Sequence, residues 1–95
     1  MAVKAGYFHR QSGVIPYRVR KGELEILLIT SRKKRRWIIP KGIIEPDFGA
    51  RHSAAKEAFE EAGAKGNVHS KHLGTYQSRK LGRACSVKVF PMRVT

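Results

Sequence analysis

An α+β fold is predicted for this 95-residue chain by three features. Two strand-like runs meet at a glycine turn near the start, a single helical stretch follows with alanines at four-residue spacing, and β-rich segments close the chain. The class expected is a mixed sheet with one helix, in a single domain covering residues 1–95. That length is near the lower end of what sustains a core of its own.

The elements follow in order. Residues 12–20 (SGVIPYRVR) and 23–30 (ELEILLIT) read as strands joined by a Lys21-Gly22 hairpin turn. Pro16 marks the first as an edge strand or an interrupted one, because proline donates no ladder hydrogen bond. Residues 31–36 (SRKKRR) form a basic loop feeding a short apolar strand at 37–39, where Trp37 reads as a core residue. Pro40-Lys41-Gly42 breaks that strand, and a loop rich in turn formers follows. From Ala50 to Ala62 the pattern is helical: Ala54, Ala58 and Ala62 lie at four-residue spacing with Ala55 and Phe59 beside them, and Gly63 stands at the C-cap position. Residues 72–78 and 84–94 read as strands.

Composition points to an anionic partner. The chain carries 20 Lys and Arg against 7 Asp and Glu, a formal net charge of +13. Nucleic acid, a phosphorylated metabolite and an acidic membrane surface all suit that balance. No apolar run reaches the length of a membrane span and no signal peptide is evident, so a membrane partner is not expected. Cys85 is the single cysteine, which rules out an internal disulfide and, with the lack of an export signal, gives a cytoplasmic expectation. Cys85 itself reads as a packing residue, and His69-x-x-His72, with no cysteine or third ligand, reads as surface.

The acids are not spread evenly. Glu45, Asp47, Glu57, Glu60 and Glu61 fall within residues 45–61, while residues 62–95 contain none. Glu57, Glu60 and Glu61 lie at i, i+3 and i+4, on one face of the expected helix, where like charges repel. Glu60 and Glu61 also occupy the last turn, where the helix dipole disfavours anions. A solvated face with a Lys56 to Glu60 pair is one reading; a bound divalent cation is the other.

The stretch from Gly42 to Ala64 resembles the box of the Nudix hydrolase (MutT-like) family: Gly, five residues, Glu, seven residues, Arg-Glu, an aliphatic, any residue, Glu-Glu, any residue, Gly, aliphatic. Gly42, Glu57, Glu60, Glu61 and Gly63 match, as do the flanking "RRWIIPKG" and "EAFEEAGAKG". Two positions depart: Phe48 stands where the first Glu belongs, and Lys56 replaces the Arg. A Lys supplies charge but no planar fork, so looser positioning of the neighbouring carboxylates is expected, while Glu45 or Asp47 in the same loop could partly stand in for the acid missing at Phe48.

The resemblance implies an α/β/α sandwich with a loop-helix-loop box, and a Mg2+-dependent pyrophosphohydrolase (Mn2+ being an alternative ion) that directs water at a phosphoanhydride bond. It implies Glu57 and Glu61 as metal ligands with the Gly42 carbonyl, and Glu60 as a further ligand or the general base, so that Glu60 and Glu61 carry the catalysis. "GELEILLITSRKKRRWIIPKG" is similar to the diphosphoinositol polyphosphate and dinucleoside polyphosphate branch, which implies phosphate contacts from Arg10, Ser31, Arg32 and Lys41, with Arg79, Lys80 and Arg83 as candidates on the later strands. A catalytically weak nucleotide- or RNA-binding module is the alternative that Phe48 and Lys56 favour. Members of the family continue into a further strand and a C-terminal helix, so the chain is expected to be C-terminally short. An open apolar sheet face or a homodimer should follow.

Overall fold

The computed structural model describes residues 10–31, 36–80 and 82–95, with Lys80 and Arg83 described by their backbone alone. Two long strands form its centre: β1 (Arg10–Arg20) and β8 (Arg83–Val94) run parallel from Arg10↔Ser86 to Tyr17↔Arg93. Each carries two short antiparallel strands on its outer edge. Against β1 lie β5 (Lys41–Ile43) and then β2 (Glu23–Ile26); against β8 lie β7 (Gly74–Lys80) and β6 (Gly66–Val68). A separate ladder joins β3 (Ile29–Thr30) to β4 (Trp37–Ile38), and helix α1 (Gly49–Ala62) covers one face of the large sheet. Among the described residues the expected α+β class, a mixed sheet with one helix, is what the chain adopts, and Lys21 (φ 51°) and Gly22 (φ 78°) make the hairpin turn.

Pro16 is not at an edge. β1 is paired on both sides, and the ring sits where its outer partner changes from β5 to β2. Val14 donates its N–H to the Pro40 carbonyl just before that handover, and the Pro16 carbonyl accepts from Leu27 just after it, so the absent N–H falls between two ladders. The same gap ends β2. The run 23–30 therefore splits at Leu27 and Leu28 instead of continuing as one strand, and the chain leaves to form the β3–β4 ladder. Trp37, on that outlying ladder, is 71% exposed and not a core residue as its apolar neighbours suggest. Past Pro40 the chain does not stay a loop but re-enters the sheet as β5.

The core lies between α1 and the sheet. Val14, Phe90 and Met92 point up from alternate positions of the central strands to meet Ala54 and Ala58, with Ala64 and Val68 closing one end. Alanines let the helix approach closely. Gly63 (φ 64°) ends it in the left-handed conformation, donating to the Phe59 carbonyl while Ala64 donates to that of Ala58. β6 has no alternation to reveal it in the sequence; Gly66 is there because a Cβ would run into the Arg93 backbone carbonyl. Gly66→Ala should therefore cost on the order of 2 kcal/mol, the range of an overpacked core, read as a lower midpoint in urea. An unchanged midpoint would mean that β6 yields freely.

The other sheet face is buried around Gln11, Val87 and Val89 and open at its far end. Ile15, Tyr17, Leu24, Ile26, Leu73 and Pro91 line a shallow apolar surface there, and Leu24 and Leu73 are each more than 60% exposed. This is the uncovered face expected from the sequence. No helix among the described residues is long and apolar enough to cross a membrane.

Candidate metal and phosphate site

The acid cluster is assembled by α1 lying along β5. Its first turn is docked by Ser53, whose buried Oγ accepts the Glu45 N–H at 2.9 Å. One turn on, Glu57 lays its carboxylate over Gly42: a Cβ at Gly42 would overlap the Glu57 Cγ, Cδ and Oε1 atoms. One turn further, Glu61 Oε1 accepts the Lys41 N–H at 2.9 Å. A β-strand backbone thus fixes two of the three helix carboxylates, which requires glycine at 42 and leaves the Glu57 and Glu61 charges close together.

Electrostatics record that proximity. Burial pushes the Glu57 carboxyl above its ordinary range, the Glu61 and Glu60 charges add to the shift, and Lys56 opposes it. Glu60 is more outlying, exposed with its Oε1 3.7 Å from Lys56 Nζ. The shorter contact of Lys56 is with Glu45, a hydrogen-bonded ion pair that raises the lysine pKa. Glu45 is thereby the acid that meets Lys56 where Phe48 cannot. Phe48 occupies the N-cap position without a side-chain cap, half exposed, its ring 6.0 Å from Lys56 Nζ.

The residues expected to bind phosphate are not all gathered here. Arg10 and Arg79 occupy register positions on the helix-facing side of the sheet, in line with Ser86 and Ala84 respectively, and Arg79 Nη1 donates to the Gly82 carbonyl at 3.2 Å. Lys41 leaves on the opposite side, where Nζ donates to Gln11 Oε1 at 3.1 Å, so its contribution at the carboxylates is its backbone N–H. Ser31 closes the neck of the basic loop, its Oγ accepting the Arg36 N–H at 3.3 Å. Arg32 lies outside the described residues, and Lys80 and Arg83 pair at the end of the β7–β8 hairpin. His69 and His72 are surface residues: His69 Nε2 is 2.7 Å from the Tyr17 hydroxyl, and His72 sits edge-on to Phe90. Cys85 is buried.

Among the described residues no group of three or more His, Cys, Asp or Glu side chains is set to hold a metal by itself. The hard oxygens that β5 brings together are the Glu57 and Glu61 carboxylates. That set fits Mg2+, which is commonly bound by one or two carboxylates and completed by water and substrate phosphates. Sequence reasoning missed Ser53 and paired Lys56 with Glu60 and not with Glu45, since both missed contacts join a loop to a helix across 8 and 11 residues.

A mixed sheet carries a helix whose carboxylates are seated on a glycine of the preceding strand. The NUDIX domain matches residues 8–90, and the chain belongs to that family. Among its relatives are Nudix hydrolase 13, mitochondrial, of Arabidopsis thaliana, 32% identical over 109 residues, covering 92% of this chain and 54% of the relative. Another is diphosphoinositol polyphosphate phosphohydrolase 3-alpha of Mus musculus, 31% identical over 88 residues, covering 93% and 52%. The crystal structure of the C. elegans Ap4A hydrolase superposes with a TM-score of 0.78 at 26% identity, covering 90% of this chain and 67% of that one. The chain spans about half the length of the curated relatives it matches.

Proposed function

We propose that the chain is a divalent-metal-dependent pyrophosphohydrolase acting on a polyphosphorylated small molecule. The observation that carries this reading is the pair Glu57 and Glu61, held side by side by β5 at a cost in charge repulsion that a cation would offset. Glu57, Glu61 and the Gly42 carbonyl would hold Mg2+ or Mn2+. Bound there, the ion would neutralise phosphoryl oxygens and favour the leaving group.

The chain's own residues do the rest. Lys41 N–H orients the Glu61 carboxylate, and the Lys56–Glu45 pair ties the box loop to the helix. Glu60, exposed beside them, accepts the proton of the water attacking phosphorus. Arg10 and Arg79, on the helix-facing side of the sheet, meet the remaining substrate charge. The names of two relatives, a diphosphoinositol polyphosphate phosphohydrolase and an Ap4A hydrolase, support inositol pyrophosphates and dinucleoside polyphosphates as the substrates to try first, with nucleoside diphosphates linked to other groups third.

Phosphate release by the purified chain, measured with and without Mg2+ on those three classes and repeated with Glu61→Gln, tests the reading. Metal-dependent release that the substitution removes is expected. Phe48, which leaves the box loop without its first acid, favours a second reading, a nucleotide- or RNA-binding module with little turnover. Tight, metal-dependent binding without release would establish that one instead. Salt-sensitive binding to RNA that ignores the glutamates would sink both metal-based readings.

A further inference from the structure

We infer that Ser12 and Lys88 form a second anion contact beside the carboxylates, receiving a phosphoryl oxygen of a substrate that carries a run of linked phosphates. This rests on the phosphohydrolase reading and adds to it two residues and a requirement on the substrate.

The first observation is an orphan. The Ser12 hydroxyl is fully buried and has no hydrogen-bond partner among the described residues. A buried hydroxyl is ordinarily paired, and one that is not marks a place for a water, an ion or a ligand oxygen. Its place in the sheet says which kind. Gly42, Ser12, Lys88 and Thr75 are register neighbours on four successive strands, β5, β1, β8 and β7. Ser12 shares its face with Val14, and Lys88 shares its face with Phe90 and Met92, so the row points to the side covered by α1. At one end of it the Glu57 carboxylate lies on Gly42.

The second observation is the charge next to the orphan. Lys88 is half-buried and has no hydrogen-bond or ion-pair partner among the described residues. A half-buried ammonium with three unused donors beside an unpaired hydroxyl suits an anionic oxygen, which takes charge-assisted hydrogen bonds from both. The adjoining row adds Arg10, Ser86 and Gln77, donors of the same kind.

Geometry then constrains the ligand. Gly42 and Lys88 are two strand spacings apart, roughly 10 Å. A single phosphoryl group at the Glu57–Glu61 end would leave Lys88 unmatched, whereas linked phosphates can pass Ser12 and reach it. A phosphomonoester therefore does not satisfy the site.

Calorimetric titration of the whole chain with inorganic tripolyphosphate and with orthophosphate, each with and without Mg2+, tests this. The parent should bind tripolyphosphate far more tightly than orthophosphate. Lys88→Met should weaken tripolyphosphate binding about tenfold, Ser12→Ala several-fold and Lys88→Arg little, with melting temperatures close to the parent's. Should Lys88→Met lower the melting temperature, the Ser12→Ala and Lys88→Arg arms still decide. Tripolyphosphate binding that keeps its Mg2+ dependence but ignores Lys88 and Ser12 would overturn the second contact and leave the phosphohydrolase reading intact. A parent chain that binds tripolyphosphate under neither condition would overturn both.

Discussion

The Glu57→Gln chain should melt a few degrees above the parent when metal is absent, gain nothing from added Mg2+, and lose metal-dependent phosphate release by roughly a thousandfold, about 4 kcal/mol of transition-state stabilisation. These effects have opposite signs for one reason. Glu57 is seated on Gly42, partly desolvated and facing the Glu61 and Glu60 charges, and its carboxyl is held above its ordinary range. A carboxyl whose folded-state pKa is raised binds more protons folded than unfolded. Stability is therefore lost as pH rises through that folded-state pKa, and at neutral pH the ionised group works against the fold. Glutamine keeps the shape over Gly42 and removes the charge, so the metal-free midpoint should rise.

Added Mg2+ reverses the sign for the parent, because it binds the ionised carboxylates of the folded chain. The melting increment on adding Mg2+ should thus be larger at pH 7.5 than at pH 5. Thermal unfolding at both pH values, with and without Mg2+, decides the matter. A metal-free Glu57→Gln chain less stable than the parent would mean that the carboxylate is a structural contact, and the metal reading would lose its central observation.

The helix and both long strands are legible in the sequence because their signals are local. Alanine spacing, Gly63 and the alternation Val87, Lys88, Val89 each report on residues within a turn or two. What was not legible is where strands change partners. Pro16 argues locally for an edge, yet β1 is central, since the missing N–H is harmless at a junction between β5 and β2 that only the tertiary fold creates. Trp37 likewise belongs to an apolar run whose strand turns out to sit off the main sheet.

The site divides along the same line. Glu57, Glu60 and Glu61 are readable from helical spacing, as is their conflict with the dipole and with one another. The sequence does not say that Glu61 is anchored by a β5 N–H, that Lys56 chooses Glu45 over Glu60, or that Lys41 sends its ammonium to Gln11 on the far side of the sheet. Those depend on strand parity at β5, and a short strand following Pro40 has too few residues to display its parity.

Gly42→Ala should fold and yet release phosphate about a hundredfold more slowly than the parent. Backbone freedom is not the reason for glycine here, as its φ is not positive; the added methyl would occupy the space of the Glu57 carboxylate. Because the obstructing atoms belong to the far half of a flexible side chain, the fold can yield by swinging Glu57 aside at little cost in stability. Turnover cannot yield so easily, since a displacement near 1 Å of a positioned group commonly costs two orders of magnitude. A shift in melting temperature on adding Mg2+ should shrink in parallel, because the ion would lose one of its two helix carboxylates. Urea unfolding, phosphate release and the Mg2+ increment, measured on one preparation, separate the alternatives. If Gly42→Ala unfolds far more easily than the parent, Gly42 serves packing and not positioning. If it is both stable and fully active, Glu57 does its work from somewhere other than its seat on β5, and the metal site drawn around that seat is wrong.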